Sequence, residues 1–486
     1  MPTEPKPNVL LITADHWAGH LLGVEGHPCI QTPTLDELAR SGTRFTRAYT
    51  ESPVCVAARR NLMTGCPARH NGGRVWQATA EMASVPTLAQ TFRDAGYQAY
   101  GVGKLHVYPQ RDRIGFDDVI LSEEGRTQFG VVDDYEMYLA EQGHPGQYFT
   151  HGMSNNEYVT RPWHLAEEHH VTNWATREMV RTIVRRDPTR PAFWYLSFVH
   201  PHPPLVPLQA YLDIYREMQI DMPAVGEWAA DGDSLPYALR RARAHGERIS
   251  DHQMRAARRA FYALCTHIDH QLRVVIGTLR EHGLLDNTII LFSADHGDML
   301  GKHGLWKKQV HYEESARVPM ILLGPEGDSR VGHDRVDDRL VGLQDVMPTL
   351  LDLAGVDIPD SVKGQSMVSS QRREHLFCEH SEGGSATRMV HDGRFKLIYY
   401  PTGNRVQLFD MEDDPEELVD LHSSQKHLSD RERLEAMLMG ELYGSDLEFI
   451  QDGKLVGVAD EVYEAGPNRG LTTQRGGHWP PPPIAE

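Results

Sequence analysis

"NVLLITADHW", Asn8 to Trp17, and "TIILFSADHGD", Thr288 to Asp298, are apolar runs that end in the same tripeptide, Ala-Asp-His. A continuous run rich in Ile, Leu and Val is the pattern of a strand covered on both faces, as in parallel sheets flanked by helices. The runs "AFWYLSF" and "VPMILLG" have the same character, and periodic helical segments separate them. This alternation predicts an α/β fold with a large, mainly parallel sheet. Open parallel sheets carry ligand groups at the carboxyl ends of their strands, which puts Asp15, His16, Asp295 and His296 at one edge. Either pair alone reads as a turn-capping aspartate beside a surface histidine. Together they point to one shared divalent cation.

Outward from these strands, Thr34-Leu35-Asp36-Glu37 reads as a capping box opening a helix that ends near Gly42, and "QDVMPTLLDLAG" as a helix stopping at Gly355. The helix "TLAQTFRDAGY" leads into a strand "QAYGVGK". The segment from about 220 to 255 has weak periodicity and reads as a surface insertion. After Gly364 short runs follow one another closely: "EHLFCEH", "TRMVHDG", "RFKLIYYP" and "VQLFD". They predict a smaller C-terminal antiparallel sheet with a hairpin turn at Asp392-Gly393 and a helix around 427–441. The expected organisation is a catalytic α/β domain over 1–368, a C-terminal α+β subdomain over 369–465 and a Pro/Gly-rich tail over 466–486. The tail has too few apolar groups for a core; it reads as disordered or as an arm on a neighbouring subunit.

A net charge of −19 over 486 residues excludes nucleic acid as a partner, since that needs a basic footprint. No apolar run reaches bilayer length, so no membrane is expected. The N-terminus carries an acidic residue and prolines ahead of a short apolar run, unlike a signal peptide, and a cytoplasmic location is expected. Nothing in the sequence sets an oligomeric state, and a homo-oligomer stays open.

Five cysteines, an odd number without paired spacing, fit a reducing compartment. Cys265 falls in a helical apolar stripe (Phe261, Leu264, Ile268, Leu272) and reads as core, whereas Cys29, Cys66 and Cys378 have no chemical company. Cys55 stands at the head of "CVAARRNLMTG", which reads as a helix. It can be an inert buried thiol, or a thiolate favoured by the helix N-terminus and nearby arginines. A cysteine phosphatase needs arginine six residues on, where Asn61 stands; the arginines are at four and five. The third reading is that Cys55 is a precursor.

The pattern Cys-x-Ala-x-Arg over 55–59, followed by Leu62 and Thr64-Gly65, resembles the signature of formylglycine-dependent sulfatases of the alkaline phosphatase superfamily. The resemblance covers most of the chain. It runs through "TPTLDELARSGTRFTRAYTESPVC", "GVGKLH", "LSFVHPHPP" and "SADHGDMLGKHGLWKKQVHYEESARVPMI" to "GRFKLIYYP" and "QLFDMEDDPEELVDL". It implies that Cys55 is oxidised by a maturation enzyme to an aldehyde acting as its hydrate. One hydroxyl would attack sulfur, and the second, losing its proton to His106, would expel sulfate. It implies metal contacts from Asp15, Cys55, Asp295 and His296, with His16 beside them where relatives usually hold Asp or Gln. Calcium is the first expectation, and an imidazole at position 16 brings in manganese or another transition metal.

The resemblance also implies roles for Arg59, Lys104, His106, His202 and Lys308. Without it, Lys104 and Lys308 pass as solvated lysines and His202 as a loop cap between prolines. His200 competes with His202, and spacing favours His202. His267, Asp269 and His270 read as a solvated helix face, not a metal site. The substrate implied is a small-molecule sulfate ester, aryl or carbohydrate. Specificity is expected from the 109–170 region, the insertion and the C-terminal sheet, where Tyr135, Trp163, His164, His169 and His170 suit a sugar as well as an aryl ring. The segment around "HLAEEHHVTNWATREM" is more similar to carbohydrate than to choline sulfatases. Two other readings stay open: a phosphonate monoester or phosphodiester hydrolase using the same site, and a non-catalytic metal-binding relative with Cys55 unconverted.

Overall fold

The computed structural model describes residues 6–125, 132–153, 155–232, 234–243 and 249–462. The tail over 466–486, with its expected arm, lies outside the described residues.

Eight strands form the main sheet: β1 (Asn8–Asp15), β2 (Thr43–Tyr49), β3 (Gln98–Gly103), β4 (Asp118–Leu121), β5 (Ala192–Pro201), β6 (Thr288–Ala294), β7 (Met320–Leu323) and β8 (Arg335–Gly342). Their spatial order is β4-β3-β5-β1-β6-β7-β2-β8. Every residue of β1, β5 and β6 is buried, as continuous apolar runs require. All pairs are parallel except those of β7, which runs against both β6 and β2. An apolar run buried on both faces carries no record of its direction, so the expected parallel strand at "VPMILLG" is antiparallel.

Seven helices matter here: α1 (Pro33–Ser41), α2 (Cys55–Thr64), α3 (Leu88–Asp94), α4 (Val171–Val184), α5 (Asp251–Glu281), α6 (Val346–Leu353) and α7 (Leu428–Glu441). α4 and α5 pack together on β5, and α2 packs with α3 and α6. The α5 stripe Phe261, Leu264, Cys265, Ile268 and Leu272 is fully buried, each large side chain contributing about 1.5–3 kcal/mol. α1 starts two residues earlier than the expected capping box places it, with Thr32 as its first flanking residue. The cap comes instead from across the fold: Asp269 of α5 accepts the backbone N–H groups of Thr34 and Leu35 at 3.0 and 2.8 Å.

The C-terminal sheet is antiparallel, ordered β12 (Arg405–Asp410), β11 (Phe395–Tyr400), β10 (Thr387–His391) and β9 (Leu376–His380). Gly393, at φ +102, makes the turn between β10 and β11, and Leu434 and Leu438 of α7 bury against Val390, Leu397 and Leu408. The 220–255 segment is not a surface insertion throughout. Leu235 and Leu239 are buried with Met299, Tyr312 and Phe409, and Trp228 stacks on Tyr312 while donating to the Glu417 carbonyl at 2.8 Å. Its anchors are irregularly spaced because they bridge the two sheets, which hides them from a periodicity reading.

Candidate active site

The register Ala14↔Ala294 brings the ends of β1 and β6 side by side, and Thr13↔Ser197 aligns β5 with them. β3 follows with Gly103↔Ser197, a contact only glycine allows: a Cβ there would lie 1.9 Å from the Ser197 carbonyl oxygen. Four strand ends therefore deliver Asp15-His16, Asp295-His296, Lys104 and the loop to His202 into one place.

Cys55 begins α2, a helix buried along its whole length. Its Sγ lies 3.2 Å from His296 Nε2 and 3.8 Å from Asp15 Oδ1. His296 donates from Nδ1 to the Gly297 carbonyl at 2.9 Å, so its Nε2 lone pair faces Cys55 and Asp15. His16 takes a left-handed backbone, φ +70, and donates from Nδ1 to Asp298 Oδ2 at 2.6 Å. Its Nε2 turns inward, where Lys308 Nζ donates to it at 2.5 Å. Asp15, His16, Cys55 and His296 are all buried, with ligand atoms within 4.8 Å of one another. One carboxylate, two imidazoles turned inward through Nε2 and a sulfur make a donor set for a divalent cation, which would displace the protons now shared there. Asp295 stands beside this group with its oxygens committed: Oδ1 accepts from the backbone of His16 and His296, and Oδ2 from Arg59 Nε at 3.0 Å.

Positive charge surrounds residue 55. Lys104 Nζ donates to both Asp15 and Glu124. Arg59 Nη1 donates to the Lys104 carbonyl, Tyr195 Oη and Ser197 Oγ at 2.8–3.0 Å. Lys308 Nζ also reaches His202 Nε2 at 3.4 Å, and His202 Nδ1 donates to the Pro203 carbonyl. Burial pushes the Cys55 thiol up, as does Asp15, yet Lys104, Lys308 and His296 prevail and hold it below its ordinary range. Burial likewise opposes ionisation of Asp15, but Lys104 and three imidazoles hold its carboxyl well below the usual carboxylate range. Burial depresses His202 to about 3, while His296 is raised to about 8 because Asp295 and Cys55 outweigh its burial.

Of the competing histidines, His202 faces Lys308, whereas His200 packs 5.2 Å from the His170 ring. His106 is brought close without joining the cluster. It is buried, at φ +59, with its N–H on Glu123, and it lines a small cavity with Val56 and Arg59. No hydrogen bond joins it to Cys55 among the described residues.

Two corrections concern the expected surroundings. His267 and Asp269 are buried, not a solvated face: Asp269 caps α1, and His267 Nε2 meets Asn173 Oδ1 at 2.5 Å. Tyr135, Trp163, His169 and His170 are buried in packing; Tyr135 donates to the His169 carbonyl, and His170 caps α4. Sequence reasoning missed Glu123, Glu124 and Asp298. The first two follow β4 and reach Lys104 and His106 because β4 pairs with β3, so the strand-end rule that found Asp15 would have found them. Asp298, which also accepts from Tyr158 at 2.6 Å, carried no signal of its own.

A doubly covered sheet with acids, imidazoles and lysines at adjoining strand ends, and a cysteine in the first position of a helix beside them, defines a hydrolase site for an anionic ester. Residues 7–356 match the sulfatase family, and residues 301–442 match the C-terminal region of N-sulphoglucosamine sulphohydrolase. The chain is 36% identical to an arylsulfatase of Clostridium perfringens over 93% of its own length and 97% of that relative. It is 32% identical to a choline-sulfatase of Rhizobium meliloti, over 89% and 86% of the two chains. Its fold is shared with the phosphonate monoester hydrolase of Agrobacterium radiobacter at a TM-score of 0.77 and 23% identity, covering 93% of this chain and all of that one. The chain belongs to the sulfatase family, in the alkaline phosphatase-like superfamily. It is a sulfatase, a hydrolase of sulfate esters.

Proposed function

We propose that the chain hydrolyses a small-molecule sulfate monoester with residue 55, converted from cysteine to formylglycine by a maturation enzyme, as its nucleophile. The observation that carries this reading is the buried Cys55 at the head of α2, between Asp15 and His296 and facing Lys104 and Lys308. Formylglycine supplies, as its hydrate, a hydroxyl nucleophile and a second hydroxyl whose deprotonation releases sulfate. Asp15, His16, His296 and residue 55 would hold a divalent cation that supplies positive charge toward the sulfuryl oxygens, with Asp295 as a neighbour.

The chain's own groups do the rest. Lys104 and Lys308 oppose the charge of the anionic ester in a site closed to bulk water, where such charges act strongly. The proton for the leaving oxygen is held between Lys308 Nζ and His202 Nε2. Arg59, fixed through Asp295, Tyr195 and Ser197, steadies the start of α2. His106 requires a shift of its ring to act as base at residue 55. The two inward imidazoles favour manganese or another transition metal over calcium, which prefers oxygen.

The test is side-by-side turnover of para-nitrophenyl sulfate and an aryl phosphonate monoester by matured protein, with Cys55→Ala as control. Preference for the sulfate, abolished in the variant, is expected. A strong preference for the phosphonate would overturn the substrate assignment.

A further inference from the structure

We propose that Tyr158 is a positioning residue for the metal centre: through Asp298 it aims the His16 imidazole, and it thereby sets a preference for a transition metal over calcium. The inference rests on the reading that Asp15, His16, His296 and residue 55 hold a divalent cation. The Tyr158 hydroxyl acts one link behind that group. Asp298 Oδ2 accepts from His16 Nδ1 and from Tyr158 Oη, each at 2.6 Å, while Oδ1 accepts from the Leu300 N–H at 3.0 Å. His16, Asp298 and Tyr158 are all buried, so bulk water does not compete for these bonds.

Tyr158 is the fixed end of this chain. Its ring packs against Trp306, with centroids 4.5 Å apart, and the Lys307 backbone N–H donates to its hydroxyl. The segment that follows is pinned to the loop after His202. Thr160 pairs with Leu205, whose carbonyl accepts from Thr160 Oγ1 at 2.9 Å, and Trp163 N–H donates to the Pro207 carbonyl at 2.9 Å. His16 is the held end: it sits at φ +70, a conformation that a non-glycine residue keeps only where its surroundings impose it. With Leu300 on one oxygen and Tyr158 on the other, the Asp298 carboxylate has its plane set from outside, and the imidazole that donates to it is oriented with it. That orientation matters unequally to different cations. Imidazole nitrogen suits transition metals, whereas calcium prefers oxygen and accepts a flexible shell. Loosening His16 therefore costs affinity for manganese and leaves that for calcium almost unchanged.

Calorimetric titration of matured, metal-stripped protein with manganese and with calcium tests this in the wild type, Tyr158→Phe, His16→Gln and the double variant. Phenylalanine keeps the ring against Trp306 and removes only the hydroxyl, and thermal melts check the fold. The wild type is expected to bind manganese more tightly than calcium. Tyr158→Phe should weaken manganese about tenfold and calcium by less than about twofold. His16→Gln should lose the preference, and adding Tyr158→Phe to it should move neither affinity by more than about twofold, since no imidazole is left to aim. A wild-type preference for calcium, an equal loss for both metals in Tyr158→Phe, no loss for either, or a loss that persists beside His16→Gln would overturn the inference and leave the cation site standing. If Tyr158→Phe does not fold, Asp298→Asn takes its place in both backgrounds and the same outcomes decide. Binding of neither metal by the matured wild type would remove the cation site and the inference together.

Discussion

β1 and β6 lie side by side and end in the same three residues, yet the two Ala-Asp-His ends do different work. At β1 both side chains point into the site: Asp15 faces Lys104 and the Cys55 sulfur, and His16, turned by Asp298, presents Nε2. At β6 only the imidazole is offered. Asp295 is consumed by two backbone N–H groups and Arg59, and His296 presents Nε2 to Cys55. Identical tripeptides at neighbouring strand ends thus contribute unequally to one ligand group, a carboxylate and an imidazole from β1 and an imidazole alone from β6. The backbone makes the difference: His16 sits at φ +70, and β6 runs on into the Gly297 turn that fixes His296.

This contrast can be broken by mutation. Cys55→Ala, which removes the atom both ends face, is expected to lower kcat by about ten-thousandfold or more with the fold intact, as for other nucleophile deletions. Asp15→Asn should lose metal, measured by elemental analysis, and roughly a hundred- to a thousandfold in kcat/KM. Asp295→Asn should instead register mainly as stability, since it strands the buried Arg59 guanidinium; breaking a buried pair costs about 3–5 kcal/mol in a denaturant melt. If both variants lose metal equally and neither loses stability, the division of labour is wrong.

A finer test addresses His16 alone. Asp298→Asn keeps the shape but weakens the hold on His16 Nδ1–H, and metal affinity should fall about ten- to a hundredfold by calorimetry. Glu51 supplies the control outside both ends. Burial, reinforced by Asp345, raises its carboxyl to about 7. Between about pH 4.5 and 7 the folded state therefore holds a proton that the unfolded state releases, and stability falls as pH rises, by on the order of 2–3 kcal/mol. Glu51→Gln should flatten that slope in thermal melts at about pH 5 and pH 8 while leaving kcat/KM unchanged.

What the sequence disclosed follows the reach of each signal. Strand ends were legible because β1, β5 and β6 are covered on both faces and written as unbroken apolar runs. Cys55, Arg59 and the lysines were legible only through the family pattern, since a buried lysine looks like a solvated one until Asp15 and Glu124 are beside it. The direction of β7, the cap that Asp269 places on α1 and the bridge through Trp228 all depend on partners far along the chain. His106 shows the same limit: its spacing from Lys104 was readable, but its backbone N–H is held by Glu123 across the β3–β4 pair, a partner far along the chain.

The central claim is that Cys55 is present in order to be replaced. Mass spectrometry of the tryptic peptide from Ala48 to Arg59, taken from protein co-expressed with a maturation enzyme, tests it most directly. The account predicts a peptide lighter by the difference between CH2SH and CHO, and reactive toward hydrazides. A peptide retaining its thiol in full, under conditions that convert a control sulfatase, would contradict it.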